Sequence, residues 1–131
     1  MSEQHISNSL KSLLKAQSRF ELFRKKLVTD QDKAGAIQAF EFCYELAWKT
    51  MRKALALRGI EVNSPRETFR EASREHFIPN PEPWFEFLKK RNLTVHTYDE
   101  ENAEEIIRSF DSFSIELAQL IRNLESTFPC K

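Results

Sequence analysis

Apolar residues along this chain recur three and four apart, and no stretch keeps the two-residue alternation of a half-buried strand. The pattern predicts an all-helical domain. Leu10, Leu13, Leu14, Phe20, Phe23 and Leu27 form one stripe of a first helix, which ends before the polar run Thr29-Asp30-Gln31-Asp32-Lys33 and Gly35. That run reads as a loop. A second helix is expected from about Ala36 to Arg58, closed by Gly59. Its apolar residues, Ile37, Phe40, Phe42, Cys43, Tyr44, Leu46, Ala47, Trp48, Met51, Leu55 and Leu57, occupy most of the circumference. Gln38, Glu41, Glu45, Lys49 and Arg52 make one narrow polar stripe. So much apolar surface on one helix asks for cover from more than one side, which predicts a helix-mediated homodimer.

Ser64-Pro65-Arg66-Glu67 has the form of a helix start: a capping serine, a proline in the first turn and a glutamate three residues after the cap. The short third helix it opens should stop before Ile78-Pro79-Asn80-Pro81, where Asn80 and Pro81 open a fourth helix carrying Trp84, Phe85, Phe87 and Leu88. The β-branched Thr94, Val95 and Thr97 weaken helical preference, and Asp99 followed by Glu100 and Glu101 resembles a new cap. The stretch between them is therefore a helix end or elbow. A last helix is expected from about Glu100 to Ser126, with Ala103, Ile106, Ile107, Phe110, Phe113, Leu117, Leu120, Ile121 and Leu124 on one face. Four long helices and one short one with short connections favour an up-and-down four-helix bundle with an additional short helix.

With 131 residues the chain, 1–131, fits a single domain with one core. Twenty basic residues balance twenty acidic ones, so no overall field draws the molecule to DNA or to an anionic membrane, and any contact with RNA must be local. Two cysteines, Cys43 and Cys130, are too few for the framework of a small secreted domain. The start, Met1-Ser2-Glu3-Gln4-His5, lacks the basic and apolar runs of a signal peptide, and no apolar stretch approaches the roughly 20 residues of a membrane span. A soluble protein of the reducing cytoplasm is the expectation. His5 and His76 have no acidic or cysteine neighbours at ligand spacing, so no metal and no cofactor are expected.

The densest chemistry lies at the elbow, in Arg91-Asn92-Leu93-Thr94-Val95-His96-Thr97-Tyr98. A fixed cation, a group that titrates near neutral pH and a phenol suit work on a phosphodiester or a nucleotide. On a continuous helix Asn92 and His96 would share a face, while Arg91 and His96 would stand about 140° apart. Asn92 is thus a candidate to fix the imidazole tautomer. In an extended chain His96 and Tyr98 would meet on one side. Glu41 and Glu45 are candidates to orient Arg91 or His96 from the second helix. The same residues also have a purely structural reading: arginine and histidine complement a helix C-terminus, and Glu41 and Glu45 fit a solvated ladder with Lys49. Trp48 and Trp84, set among apolar residues, are expected in the core.

Ile37-Gln38-Ala39-Phe40-Glu41-Phe42-Cys43-Tyr44-Glu45-Leu46-Ala47-Trp48-Lys49, then Ser64-Pro65-Arg66, then Arg91-Asn92 and His96-Thr97-Tyr98-Asp99, resemble in order the nucleotidyltransferase substrate-binding proteins of the HEPN superfamily. The resemblance implies a helical-bundle homodimer that pairs with a minimal nucleotidyltransferase, in many cases as a toxin-antitoxin module. It implies a metal-independent ribonuclease site that maps onto Arg91 and His96, and it makes Tyr98 the type of residue that the partner adenylylates to silence the toxin. It equally implies an alternative, in which the helical protein is a noncatalytic subunit presenting a nucleotide or other substrate to its partner enzyme.

Overall fold

The computed structural model describes residues 3–129, with side chains from His5 onward. The expectations placed on Met1, Ser2 and Cys130 lie outside the described residues. Among the described residues six α-helices follow in order: α1 (Glu3–Phe23), α2 (Asp30–Leu57), α3 (Pro65–Arg74), α4 (Glu82–Leu93), α5 (Glu100–Arg108) and α6 (Phe110–Thr127). A one-turn 3-10 segment, Thr94–His96, separates α4 from α5. The described residues contain no strand, and the protein is all-α as the periodicity predicts.

Three boundaries differ from the sequence expectation. α1 ends at Phe23, so Leu27, placed on its stripe in the sequence, lies beyond the helix. The polar run after Thr29 is the first turn of α2. The Thr29 hydroxyl accepts from the Asp32 amide at 3.0 Å, and Asp32 Oδ2 accepts from the Thr29 amide at 3.0 Å and the Val28 amide at 3.2 Å. This reciprocal cap satisfies donors that a helix start otherwise leaves open, so polarity there marks a beginning. The same hydrogen bonds, that from the Thr29 amide first, hold the Asp32 carboxyl below its ordinary value. The final helix is also broken. Ser109 Oγ donates to the Ile106 carbonyl at 2.6 Å and its amide bonds the same carbonyl at 3.0 Å, a local tightening that interrupts the run between α5 and α6.

Gly59 and His76, both in the left-handed region, close helices. At Gly59 (φ 76°) the Ile60 amide reaches the Leu55 carbonyl and the Gly59 amide the Ala56 carbonyl, each at 3.0 Å. His76 (φ 64°) terminates α3 by the same pattern, with the Phe77 amide on the Ala72 carbonyl and the His76 amide on the Ser73 carbonyl. Ser64 caps α3 as expected, accepting from the Glu67 amide at 3.2 Å with Pro65 in the first turn.

The core centres on Phe113 of α6, fully buried. Its ring meets Phe20 of α1 at 5.2 Å, Phe40 of α2 at 4.9 Å, and Phe87 and Trp84 of α4 at 5.1 and 6.0 Å, all near edge-to-face. Such pairs add roughly 0.5–1.5 kcal/mol each beyond area burial. Rings from three helices thus converge on a side chain of a fourth, the arrangement expected of a four-helix core. Phe69 of α3 extends the cluster through Trp84 at 5.5 Å and Tyr44 at 6.2 Å.

α2 is the central helix, packed by α1, α3, α4, α5 and α6. Its wide apolar circumference is therefore used largely inside one chain, with Phe42, 58% exposed, left outside. Cys43 is buried on this helix, and burial pushes its thiol up to about 12. No helix among the described residues is long and apolar enough to cross a membrane.

Candidate functional site

The C-terminus of α4 is tied down on two sides. Lys90 donates to Glu105 of α5 at 3.1 Å, and Lys33 of α2 donates to Glu104 at 2.9 Å, so α4, α5 and α2 are laced around the elbow. Thr94 opens the 3-10 turn with its hydroxyl 2.7 Å from both the Arg91 carbonyl and Glu41 Oε2. A β-branched residue that bonds back to its own helix end and across to α2 gives the turn a fixed position.

Glu41, Glu45 and Trp48 share one stripe of α2, and that stripe faces Arg91. Arg91 Nε donates to Glu45 Oε1 at 2.9 Å, and its Nη2 lies 3.6 Å from Glu41 Oε2. The other oxygen of Glu45 accepts from the Trp48 indole at 3.1 Å. All three charged side chains are about a third exposed, at 29%, 34% and 31% for Arg91, Glu41 and Glu45. Pairs with this much solvent contribute no more than about 1 kcal/mol each, so their clearer effect is to fix where the guanidinium points. Trp48, expected in the core, is half-buried and serves as a donor to Glu45. Trp84 is fully buried, as expected.

His96 ends the 3-10 turn on the exposed side of the elbow. Its Nδ1 lies 3.3 Å from the Tyr98 hydroxyl, with the rings edge to face at 5.8 Å. Tyr98 itself is 85% exposed. The His96 carbonyl accepts from the Asp99 amide and from Asn102 Nδ2, both at 3.2 Å, which ties the turn to α5. Asp99 caps α5, its Oδ1 accepting from the Glu101 amide at 2.9 Å. Asn92 is exposed in the last turn of α4, and the ring nitrogen contact drawn for it in the sequence is made by Tyr98.

Glu41, Glu45, Arg91 and Thr94 therefore form one group, and His96 with Tyr98 a second, joined through the single turn between them. Thr94, Trp48 and Asn102 are the participants that sequence reasoning missed. Thr94 and Trp48 each stand three residues after the group they bond, a helical spacing that carries a faint signal. Asn102 reaches the elbow only through the fold. Among the described residues no group of three His, Cys, Asp or Glu is placed to hold a metal ion. What remains is a positioned guanidinium, an accessible imidazole and a phenol bonded to it, a set suited to proton transfer and charge stabilisation at a phosphate.

The chain is similar to known proteins over nearly all its length. Residues 4–126 match the family described as nucleotidyltransferase substrate binding protein like. A protein of Haemophilus influenzae named probable ribonuclease HepT is 37% identical over 103 residues, which cover 75% of this chain and 70% of that protein. A crystal structure from Thermus thermophilus superposes with a TM-score of 0.80 at 26% identity, covering 86% of this chain and 98% of that one. A Haemophilus influenzae structure, described as revealing the fold of a substrate binding domain of a nucleotidyltransferase, matches with a TM-score of 0.70 at 31% identity over 95% and 99% of the two chains. With the family matching over residues 4–126 and relatives agreeing in sequence and in helical fold, this chain belongs to the nucleotidyltransferase substrate binding protein like family.

Proposed function

We propose that this protein is the HEPN toxin subunit of a two-component toxin-antitoxin system, a metal-independent ribonuclease that uses Arg91 and His96 and is silenced by adenylylation of Tyr98 by a minimal nucleotidyltransferase. In this reading neutral His96 takes the proton of an RNA 2′-hydroxyl, whose oxygen attacks the adjacent phosphorus while the 5′-oxygen of the next nucleotide leaves. Arg91 stabilises the charge that develops on the phosphate oxygens. One imidazole cannot conveniently be both the base and the acid for the leaving oxygen, so the reading includes a homodimer in which a second His96 supplies that proton. Val95, 65% exposed beside His96, is an apolar side chain at this elbow that a second copy would cover while leaving the Tyr98 hydroxyl open.

The observation that carries the proposal is the 3.3 Å contact between the Tyr98 hydroxyl and His96 Nδ1. A phenol so placed makes its own modification a switch. Transfer of an adenylyl group from ATP to that oxygen, with pyrophosphate leaving, removes the phenolic proton and sets a bulky anionic phosphodiester beside the imidazole. The name of the similar probable ribonuclease supports the same reading.

The alternative is a noncatalytic subunit that binds a nucleotide or another substrate for its nucleotidyltransferase partner. Two observations favour it: the description of the similar structure as a substrate binding domain, and the pairing of Arg91 with two carboxylates, which leaves its charge partly neutralised. His96→Ala separates the two. Loss of growth inhibition and of RNA cleavage, with the partner complex intact, is the expected result; unchanged toxicity rejects the nuclease reading. Nucleotide binding with no cleavage by the wild-type protein selects the subunit reading.

A further inference from the structure

Along the seam of α1 and α2 lie two cavities of about 890 and 370 Å³ that share Ser12 and Leu46, so they form one continuous groove. Its floor includes Leu46, Ile60 and Val62. Its rims are basic: Lys49, Arg52 and Lys53 from α2 at one end, Lys15 and Arg19 from α1 at the other. Glu61 is the one carboxylate among the described lining residues. In a molecule whose formal net charge is zero, five cations against one acid on a single seam is a marked separation of charge. None of the five makes an ion pair with a described residue; the Lys53 ammonium donates to the Ser9 hydroxyl at 2.9 Å, and Arg19 lies over the Phe23 ring at 5.0 Å. Elsewhere Arg24, Lys33, Arg58, Arg74, Lys89 and Lys90 are matched by carboxylates, whereas Lys11, Lys25, Lys26, Arg66, Arg70, Arg108 and Arg122 make no ion pair with a described residue; what sets the seam apart is the gathering of five such cations along one groove.

We infer that this groove binds single-stranded RNA. Its cations are strung along the seam rather than converged on one point: from Lys53 to Phe42, the aromatic residue at the opposite end, α2 advances about 16 Å. A row of separate charges suits the repeated phosphates of a strand better than one terminal phosphate. Phe42, 58% exposed in the lining of the smaller cavity, offers a stacking face for a base, which a polyanionic peptide would not need. The groove also borders the elbow site. Glu45, which holds Arg91, and Leu46, in the groove floor, are consecutive residues about 100° apart around α2. A strand lying over Leu46 and Phe42 leaves the groove on the side of the helix where Arg91 sits. The choice of RNA as the polymer rests on the ribonuclease reading, whereas the site itself rests on the groove's own charge and shape.

The test uses the full chain carrying His96→Ala, so that a fluorescein-labelled single-stranded RNA oligonucleotide stays intact, and measures anisotropy over a range of salt. Lys49→Glu combined with Arg52→Glu is expected to weaken binding about tenfold or more, and to reduce the slope of log affinity against log salt by about 1.4. Phe42→Ala is expected to weaken it about fivefold or more at unchanged slope. A control with the same charge change elsewhere, Arg74→Glu with Arg122→Glu, should bind as the parent does. Equal affinity in the groove and control variants overturns the proposal, as does tighter capture of an acidic peptide than of RNA. Dissociation of a dimer by Phe42→Ala in sedimentation overturns it too, because the groove would then be covered by a second copy. Groove-dependent RNA binding by a wild-type protein that never cleaves would leave this site standing and remove only the nuclease reading.

Discussion

Arg91 Nε and Glu45 Oε1 meet at 2.9 Å across 46 positions of sequence, and the second oxygen of the same carboxylate is held by the Trp48 indole at 3.1 Å. An acid clamped between an indole on its own helix and an arginine on another fixes the guanidinium without burying it. Glu45→Ala is expected to change stability by less than about 1 kcal/mol, because the pair is partly exposed. RNA cleavage should fall about tenfold or more as Arg91 loses its orientation, with Glu45→Gln, which keeps an acceptor, falling less. Thermal melts alongside cleavage assays check this, and equal cleavage by all three proteins would remove Glu45 from the site.

Tyr98→Phe keeps the ring against His96 and removes the oxygen. Cleavage should persist within a few-fold, while incubation with the partner nucleotidyltransferase and ATP should no longer silence the protein. Peptide mass spectrometry of the wild type is expected to find the adenylyl group on Tyr98. An unmodified Tyr98 peptide after full silencing would place control elsewhere.

His76 occupies a left-handed conformation at φ 64°, on the exposed surface where α3 closes. A side chain there costs roughly 1–2 kcal/mol that glycine does not incur. After the entropy that glycine adds to the unfolded chain, His76→Gly should stabilise by about 1 kcal/mol and raise the melting temperature by roughly 3 °C. Differential scanning calorimetry reads this directly.

The Tyr44 hydroxyl is buried with no hydrogen-bond partner among the described residues, and desolvation raises its pKa. Tyr44→Phe deletes an oxygen that makes no bond, so it should be neutral or stabilising by up to about 1 kcal/mol. Urea denaturation checks the sign; a clear loss of stability would mean that the phenol has a polar partner in solution.

Asp32 titrates below its ordinary value of 3.8, chiefly through the hydrogen bond from the Thr29 amide. A carboxyl whose folded pKa is depressed contributes stability that is complete above the unfolded value and is lost as pH falls through the folded one. Asp32→Asn keeps an acceptor at the cap and removes the titration. Its melting temperature should therefore fall less steeply than the wild type's below about pH 4. Parallel slopes in that range would show that this cap does not contribute to acid unfolding.

Much of the fold is written in local pattern. The stripes of α1, α2, α4 and α6, the Ser64-Pro65 start of α3 and the Gly59 stop of α2 each depend on helical periodicity or on one residue's backbone preference, and such signals act over a few positions. The start of α2 and the break at Ser109 are also local, and there two local meanings compete. A polar run such as Thr29 to Lys33 is as compatible with a capping box as with a loop, and Ser109 is an ordinary helix residue until its hydroxyl takes the Ile106 carbonyl.

The sequence by itself determined an all-helical chain, a family membership and an elbow that gathers an arginine, a histidine and a tyrosine, because periodicity, caps and motif spacing are properties of neighbouring residues. Tertiary structure alone decided that Glu45 and Glu41 hold Arg91, that Thr94 ties the elbow to α2, and that α1 and α2 enclose a basic groove. These contacts join residues tens of positions apart, and only the packing of helices around Phe113 sets which side chains meet. It also decided that the breadth of apolar surface on α2, read in sequence as a demand for a second copy, is met largely by the chain's own helices. A helix at the centre of a bundle and a helix at a dimer interface carry the same hydrophobic pattern, and they differ only in whose side chains cover them.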